Sequence, residues 1–377
     1  MSRSELEPAR LAVAVGHTLG HVHPALAFLA AYRDRAPVEA IALGPESDSI
    51  RRLVEEAGLP FAGIASAPWQ GESALGRLKA AMSFARGTVQ ARRYLARHRA
   101  GSVVGFGGYA TVPALLAGRS LGVVVAIHEA NVVPGLTNRL LARLADRVFV
   151  SHPESSWAGQ NGRAQLVGVP VRRAFSVPRR GEGPRADGPV RLLVTSGSRG
   201  GAFLARRVPD LAARLREAGA AVEVRQQSPA DAVDALRVRY AGLGVPATVE
   251  TYVPDMPEAC AWAHVAICRA GAATLAEIAA AGLPAIVVPL ADAADDHQAA
   301  NARAFTAPGG AVCVAERDWN AETQASLVLR WAREPGAWRE ASEAVRTLGR
   351  PEAAGAMAAE CEALLYARRR ARGTTYR

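Results

Sequence analysis

Short apolar runs alternate with longer stretches of helical period along most of the chain. The runs are three to five residues long, and glycine, proline or polar residues separate them from the helical stretches. Because strand and helix signals alternate throughout, we predict an α/β protein with two doubly wound, Rossmann-like parallel sheets. The predicted strands cover residues 11–15, 40–43, 102–104, 123–127 and 147–150, then 190–194, 221–225, 247–249, 265–268 and 285–288.

Both halves of the chain begin with the same unit. The first apolar run leads into G-H-T-L-G-H and a helix, and the run at 190–194 leads into S-G-S-R-G-G and a helix. Such turns let the backbone and the helix N-terminus approach a phosphate. Between them lies a stretch rich in proline, glycine and charge, which is a linker composition. We therefore predict a domain over 1–172, a linker over 173–189 and a domain over 190–340, with the active site in the cleft between the domains.

Composition narrows the possible functions. The chain has 377 residues, enough for two domains. Its net charge of +10 favours anionic partners such as a nucleotide diphosphate, a lipid pyrophosphate or an acidic membrane surface. Lys79 is the only lysine, so no G-x-x-x-x-G-K-[ST] loop exists and a P-loop ATPase is excluded. The four cysteines form no C-x-x-C pair, which argues against zinc and disulfide scaffolds. No apolar segment reaches the ~18 residues that span a bilayer, so we expect a soluble or peripheral protein.

The most informative stretch is 268–303, which carries two groups of polar side chains. Arg269 and Glu277 belong to one strand–helix unit, and His297 and Gln298 follow the next strand. Because the carboxyl ends of parallel strands meet at one edge of a sheet, these side chains are predicted to lie close together. A carboxylate can accept from a ribose diol, and an imidazole with an amide can hold sugar hydroxyls. The stretch therefore predicts a nucleotide-sugar site.

The same stretch resembles the donor signature of the MurG family of peptidoglycan glycosyltransferases, C-R-x-G-x-x-T-x-x-E followed by H/Q-Q-x-x-N-A. Further motifs occur in the order that the family has, and the similarity spans roughly residues 11–310. These motifs are G-F-G-G-Y at 105–109, H-E-A-N at 128–131, P-G-L-T-N-R at 134–139, V-G-V-P-V-R at 167–172 and S-G-S-R-G at 196–200.

The resemblance implies the GT-B fold, in which two Rossmann-like domains face each other across a cleft. It implies that the segment 341–377 returns as a helix to the first domain. The implied reaction is inverting transfer of N-acetylglucosamine from UDP-GlcNAc to undecaprenyl-pyrophosphoryl-muramoyl-pentapeptide, the step from lipid I to lipid II in peptidoglycan synthesis. No cofactor or metal is implied. The expected location is cytoplasmic and peripheral, on the inner face of the cell membrane.

The resemblance also assigns residues to the donor. A free helix N-terminus beside the S-G-S-R-G loop would stabilise the charge on departing UDP. The ring of Tyr252 either stacks on the uracil or lies in the core. The implied donor contacts are Ser198 and Arg199 at the pyrophosphate, Glu277 at the ribose with Arg269 beside it, Tyr252 at the uracil, and His297 and Gln298 at the transferred sugar.

On the acceptor side, the resemblance makes His21 the general base. A histidine at a helix N-terminus is kept neutral near pH 7, as a base must be, because the helix dipole lowers its pKa. Glu129 is either an alternative base or the group that orients one. The other implied acceptor contacts are Thr18, Gly20, Tyr109, Asn131 and Arg172.

The first loop departs from the family pattern G-G-T-G-G-H, because His17 and Leu19 stand at glycine positions. Ala130 and Val169 also replace a usual glutamine and asparagine. Side chains in the loop would crowd a lipid pyrophosphate. One alternative is therefore a paralogue that uses a UDP-sugar on a different glycolipid or natural-product acceptor. Another is a UDP-sugar epimerase, which shares the two-domain architecture but needs no acceptor pocket.

Residues 69–99 combine apolar side chains with seven basic ones, a pattern typical of a membrane-binding surface. Alternatively, Leu78, Met82 and Val89 face the core and the arginines are solvated. The implied lipid substrate favours contact with an anionic membrane. No nucleic-acid partner is expected, because the chain has no reader motif and no clusters of basic and aromatic residues.

Overall fold

The computed structural model describes residues 8–69, 73–157, 162–175, 183–185, 188–197, 201–291 and 296–371. The chain forms two compact units. The first contains the residues up to Arg173 and those from Glu352 onward, and the second runs from Ala174 to Pro351.

The first unit is built on a parallel sheet of seven strands in the order β3-β2-β1-β4-β5-β6-β7. Residues alternate between its two faces, so that Leu11 and Val13 enter one hydrophobic cluster while Ala12 and Ala14 enter the other. The strands are β1 (Ala9–Ala14), β2 (Val38–Gly44), β3 (Phe61–Gly63), β4 (Ser102–Gly105), β5 (Val124–Glu129), β6 (Arg147–Val150) and β7 (Ala164–Leu166).

Helices cover both faces of this sheet. The helices α1 (Leu19–Arg35) and α2 (Asp48–Glu56) pack on the face of Leu11. The opposite face is covered by α3 (Ala74–His98), α4 (Val112–Leu121) and α5 (Leu136–Leu141).

The second unit repeats the plan with six parallel strands in the order β10-β9-β8-β11-β12-β13. The strands are β8 (Val190–Thr195), β9 (Val222–Gln227), β10 (Ala247–Glu250), β11 (Val265–Cys268), β12 (Ala285–Val287) and β13 (Ala311–Cys313). The helices are α6 (Gly201–Glu217), α7 (Val233–Gly242), α8 (Met256–Trp262), α9 (Ala272–Ala281), α10 (His297–Thr306), α11 (Ala321–Arg333) and α12 (Pro335–Arg346).

The last helix, α13 (Ala353–Ala371), belongs to the first unit. Met357 and Cys361 lie in the same core cluster as Phe28 of α1. Arg368 donates to the carbonyl oxygen of Gly122 at 2.9 Å and pairs with Asp146 at 2.8 Å. Burial and charge pairing therefore fix this helix on the first sheet.

The predicted fold class is confirmed, and each of the ten predicted strands has a counterpart. The strands β3, β7 and β13 were not predicted; they have three residues each and lie at sheet edges. Such short strands show too little period to be recognised. The segment 341–377, expected to be one helix, contains the end of α12 and the whole of α13. In the described part of the chain, no helix is long and apolar enough to cross a membrane.

Candidate functional site

In each sheet the strand order reverses at one point. The reversal lies between β1 and β4 in the first unit and between β8 and β11 in the second. At such a point the following loops run to opposite faces of the sheet and leave a crevice where ligands bind. The loops at these two points carry G-H-T-L-G-H and G-F-G-G-Y in the first unit, and the residues after Thr195 and Cys268 in the second.

The imidazole of His21 occupies the crevice of the first unit. Glycines from both loops surround it, since a Cβ on Gly16 would overlap Nδ1 and one on Gly108 would lie 3.2 Å from Cε1. Gly107 and Gly108 also adopt positive φ values of 92° and 79°, which glycine accepts without strain. The hydroxyl of Thr18 lies 3.3 Å from Nδ1 of His21. The two loops therefore build a fitted seat for this ring.

Two histidines in this region are held neutral at pH 7. Burial, together with the nearby His17, lowers the pKa of His21 to about 4. Burial likewise lowers the pKa of His128 to about 4, although its Nε2 donates to the carbonyl oxygen of Gly168 at 3.0 Å. A neutral imidazole is the form that accepts a proton. His21 thus has the protonation state that its predicted role requires.

Aromatic and basic side chains flank this seat. The ring of His17, an exposed residue, lies 4.8 Å from the ring of Tyr109. Burial and then the charge of Arg172 lower the pKa of His23 to about 4. His23 was not predicted as a site residue, although it follows His21 by two residues in G-H-V-H. Gly20 is exposed in the first turn of α1.

Glu129 is buried at the end of β5 and organises the loop that follows. Its Oε1 accepts from the backbone and side-chain nitrogens of Asn131 at 2.9 and 3.0 Å. Its Oε2 accepts from the backbone of Gly135 at 3.0 Å and from Nδ2 of Asn138 at 2.9 Å. With four donors on one carboxylate, the contacts favour the orienting role for Glu129 over proton removal. Asn138, to which sequence analysis gave no role, also donates to the His128 carbonyl oxygen at 3.2 Å.

In the second unit, the loop after β8 begins with buried Ser196 and with Gly197 at φ 62°. Gly201 starts α6, and a Cβ there would lie 2.7 Å from Pro229 and 2.9 Å from the Ser196 hydroxyl. A helix N-terminus of this kind offers N–H groups to an anion. The predicted contacts Ser198 and Arg199 lie outside the described residues.

The β11 loop and the start of α10 are tied together. Gln298 Oε1 accepts from the backbone nitrogens of Ala270 at 3.2 Å and Leu290 at 3.0 Å. Asn301 donates to the Ala270 carbonyl oxygen at 3.1 Å. His297, the first residue of α10, lies next to Gln298. With Oε1 engaged, the Nε2 group of Gln298 is the part suited to a sugar oxygen.

The other predicted donor residues lie on neighbouring elements. Glu277 is buried on α9, with 8% of its surface exposed. Tyr252 is half-buried in the loop between β10 and α8. Arg269 is buried directly after β11 and is committed to protein contacts, including an ion pair with Glu316 at 2.6 Å. Among the described residues, no group of three or more histidine, cysteine or acidic side chains is placed to hold a metal ion.

The two units match the two halves of one enzyme family. Residues 11–150 match the glycosyltransferase family 28 N-terminal domain, and residues 191–356 match the glycosyltransferase family 28 C-terminal domain. The chain belongs to glycosyltransferase family 28. The predicted family and the GT-B architecture are confirmed.

Individual proteins that are similar to this chain extend this result. A UDP-N-acetylglucosamine--N-acetylmuramyl-(pentapeptide) pyrophosphoryl-undecaprenol N-acetylglucosamine transferase of Magnetococcus marinus is 37% identical over 351 residues, 92% of this chain and 95% of the relative. The crystal structure of MurG from Acinetobacter baumannii is 27% identical with a TM-score of 0.72, covering 94% of this chain and 99% of that one. A UDP-GlcNAc 2-epimerase from Neisseria meningitidis bound to UDP-GlcNAc has a TM-score of 0.65 over 94% and 99% of the two chains. At 12% identity it shares the fold alone.

Proposed function

We propose that this family 28 enzyme transfers N-acetylglucosamine from UDP-GlcNAc to undecaprenyl-pyrophosphoryl-N-acetylmuramyl-(pentapeptide). The observation that carries the proposal is the similarity, over almost the whole of both chains, to transferases named for this reaction. The neutral His21 in its glycine seat supports it, because the reaction needs a base on the acceptor side.

On the donor side, the second unit holds UDP-GlcNAc. The N-terminus of α6 and the loop after β8 bind the pyrophosphate, and Glu277 accepts from the ribose hydroxyls. His297 and the Nε2 group of Gln298 hold the hydroxyls of the sugar. As the bond between the anomeric carbon and the β-phosphate oxygen breaks, UDP leaves with the electron pair. The helix dipole stabilises the charge that develops on it.

On the acceptor side, the attacking hydroxyl oxygen forms the new bond to the anomeric carbon on the face opposite UDP. Its proton passes to the imidazole of His21. Thr18, with its hydroxyl 3.3 Å from Nδ1, orients the ring. Glu129 acts indirectly, by fixing the loop that begins at Asn131. Tyr109 and Arg172 contact the acceptor near this loop.

Helix α3 supplies a surface for the inner face of the cell membrane. Leu75, Leu78, Met82 and Val89 are 63%, 58%, 66% and 52% exposed, so the interpretation that placed the last three in the core is wrong. The core side of the helix is formed instead by small residues and Leu95. Apolar side chains at i, i+3 and i+7 share one helical face, and basic side chains lie beside them. This arrangement supports adsorption to anionic lipid.

A paralogue with another acceptor is the second candidate. The ring of His17 lies against Tyr109 at the edge of the acceptor loops, where the family pattern has glycine. That contact supports an acceptor site that differs from the family pattern, while the donor chemistry stays the same.

The test is transfer of radiolabelled sugar from UDP-GlcNAc by the purified protein. Lipid I with the undecaprenyl chain is the first acceptor, and product is followed by chromatography alongside release of UDP. We expect a labelled disaccharide on the lipid. UDP-GlcNAc binding without transfer to lipid I would reject the primary proposal in favour of the paralogue. Conversion of the donor to its C2 epimer would indicate the epimerase instead.

A further inference from the structure

An ion pair joins a buried arginine of the second unit to a half-buried glutamate. Arg269 follows β11, and only 4% of its side chain is exposed. Its Nη2 lies 2.6 Å from Oε1 of Glu316, a residue in a short 3-10 turn after β13. The two partners are 47 positions apart in the sequence.

The same guanidinium also holds the end of β12. Its Nη1 donates to the carbonyl oxygens of Val288 at 3.2 Å and Pro289 at 3.4 Å. The Phe203 ring in the first turn of α6 lies 5.4 Å from its Cζ. The planar fork of arginine suits such a set of simultaneous contacts, which lysine cannot reproduce.

The turn held by Arg269 is also the turn held by Gln298. Arg269 binds the carbonyl groups of Val288 and Pro289, while Gln298 accepts from the next backbone nitrogen, that of Leu290. Arg269 therefore fixes the turn through two of its backbone carbonyl oxygens, and Gln298 fixes it through a backbone nitrogen. Because Gln298 is also a proposed sugar contact, displacement of the turn would displace the sugar-binding amide.

We propose that Glu316 is a positioning residue for the sugar end of the donor. By holding the Arg269 guanidinium in place, it fixes the turn at 288–290 and with it the amide of Gln298. The residue does not touch the substrate, and UDP itself is bound by other elements. This inference rests on the proposed function, because it concerns recognition of the sugar by that same site.

Glu316→Gln tests the inference, with Asp318→Asn as the matched control. Asp318 lies in the same 3-10 turn and its side chain is 64% exposed beside Arg317, so the control makes the same charge change two residues away. Calorimetry with UDP and with UDP-GlcNAc, without acceptor, measures the two affinities separately. Thermal unfolding of each variant is measured in parallel.

We expect Glu316→Gln to weaken UDP-GlcNAc binding by about tenfold while UDP binding changes by less than about twofold. This loss is smaller than the roughly 10²-fold cost of moving a reacting group by 1 Å. Asp318→Asn should change neither affinity. Combined with Gln298→Ala, Glu316→Gln should add little further loss, because both substitutions act on one turn.

Equal weakening of UDP and UDP-GlcNAc, or a lower melting temperature with an unchanged ratio of affinities, would overturn the inference. If Glu316→Gln does not fold, Glu316→Asp replaces it, because this variant keeps the charge but shortens the side chain. The ratio of its affinities for UDP and UDP-GlcNAc, compared with that of the wild type, then tests the inference. A wild-type protein that does not bind UDP-GlcNAc would overturn the proposed function as well. A wild-type protein that binds it, followed by equal losses in the variant, overturns only the role of Glu316.

Discussion

Gly16 lies directly against the imidazole of His21. A Cβ built on Gly16 would overlap Nδ1 of that ring and would come within 2.8 Å of the Gly107 carbonyl oxygen. Glycine is therefore required here to provide space. The turn after β1 fits closely against the ring of His21, which lies in the first turn of α1. Backbone geometry is thereby linked to the proposed catalytic base.

Gly16→Ala is expected to lower kcat by about 10²-fold, because a methyl group would push the ring from its position and a shift of about 1 Å has this cost. UDP-GlcNAc affinity should change by less than about twofold, since the donor contacts lie in the second unit. Gly355→Ala in α13 is the control, because nothing lies within 4 Å of a Cβ there. Wild-type turnover in Gly16→Ala would show that this glycine does not position the ring.

His21→Ala should lower turnover by roughly 10²–10⁴-fold, the usual contribution of a general base, with UDP-GlcNAc affinity retained. The pH dependence gives a second test. The pKa of His21 is lowered from 6.5 to about 4, so the active neutral form persists as the pH falls through 6.5. In the wild-type enzyme kcat/KM should therefore show its acidic limb near pH 4. A limb near 6.5 would contradict this assignment.

Glu129→Gln should lower turnover and stability together, because an amide cannot accept from all four donors around the carboxylate. Leaving buried donors without acceptors costs roughly 1–3 kcal/mol each in the free energy of unfolding. Exposed Glu154 provides the control variant Glu154→Gln. If Glu129 only positions the loop, the acidic limb of the pH–rate profile stays in place. A limb that disappears would make Glu129 the base.

The sequence predicted the fold well because each half is a regular series of buried strands. The run 265–268 coincides with the observed strand β11, since strands buried on both faces are continuously apolar. The three edge strands were missed because three residues carry no clear period. Helix α3 was ambiguous in sequence because its core face uses Ala80, Gly87 and Ala91, which leaves its large apolar residues exposed.

The site was predictable only as far as its motifs extend. The seat of His21 follows from glycines in two motifs, but their meeting depends on the neighbouring positions of β1 and β4. The partner of Arg269 was not predictable, because Glu316 belongs to no motif and is brought near only by the order of β11, β12 and β13. Glu129 was predicted to be a site residue, but its four donors became visible only with the loop geometry.

Glu277→Ala should weaken the binding of both UDP and UDP-GlcNAc, because the ribose diol loses a charged acceptor. Hydrogen bonds to a charged group contribute roughly 1.5–3 kcal/mol, so dissociation constants should rise by about 10- to 100-fold. Glu343→Ala, at an exposed position of α12, is the matched control. Unchanged UDP affinity in folded Glu277→Ala would remove this residue from the site.

The exposed face of α3 predicts salt-sensitive adsorption to vesicles that contain phosphatidylglycerol. Attraction between the basic side chains and the lipid is screened beyond about 8 Å at physiological salt, so adsorption should fall as salt is raised.

The double variant Leu78→Ser with Met82→Ser should bind these vesicles at least tenfold more weakly. A fully buried leucine or methionine side chain contributes roughly 1.5–3 kcal/mol, so partial insertion of the two exceeds the ~1.4 kcal/mol of a tenfold change. Val238→Ser is the control, since Val238 is 73% exposed on the second unit. Co-sedimentation with anionic vesicles and with neutral phosphatidylcholine vesicles measures both the electrostatic and the apolar contribution to binding. Equal binding to the two vesicle types at low salt would reject the electrostatic term. An unaffected double variant would reject α3 as the membrane surface.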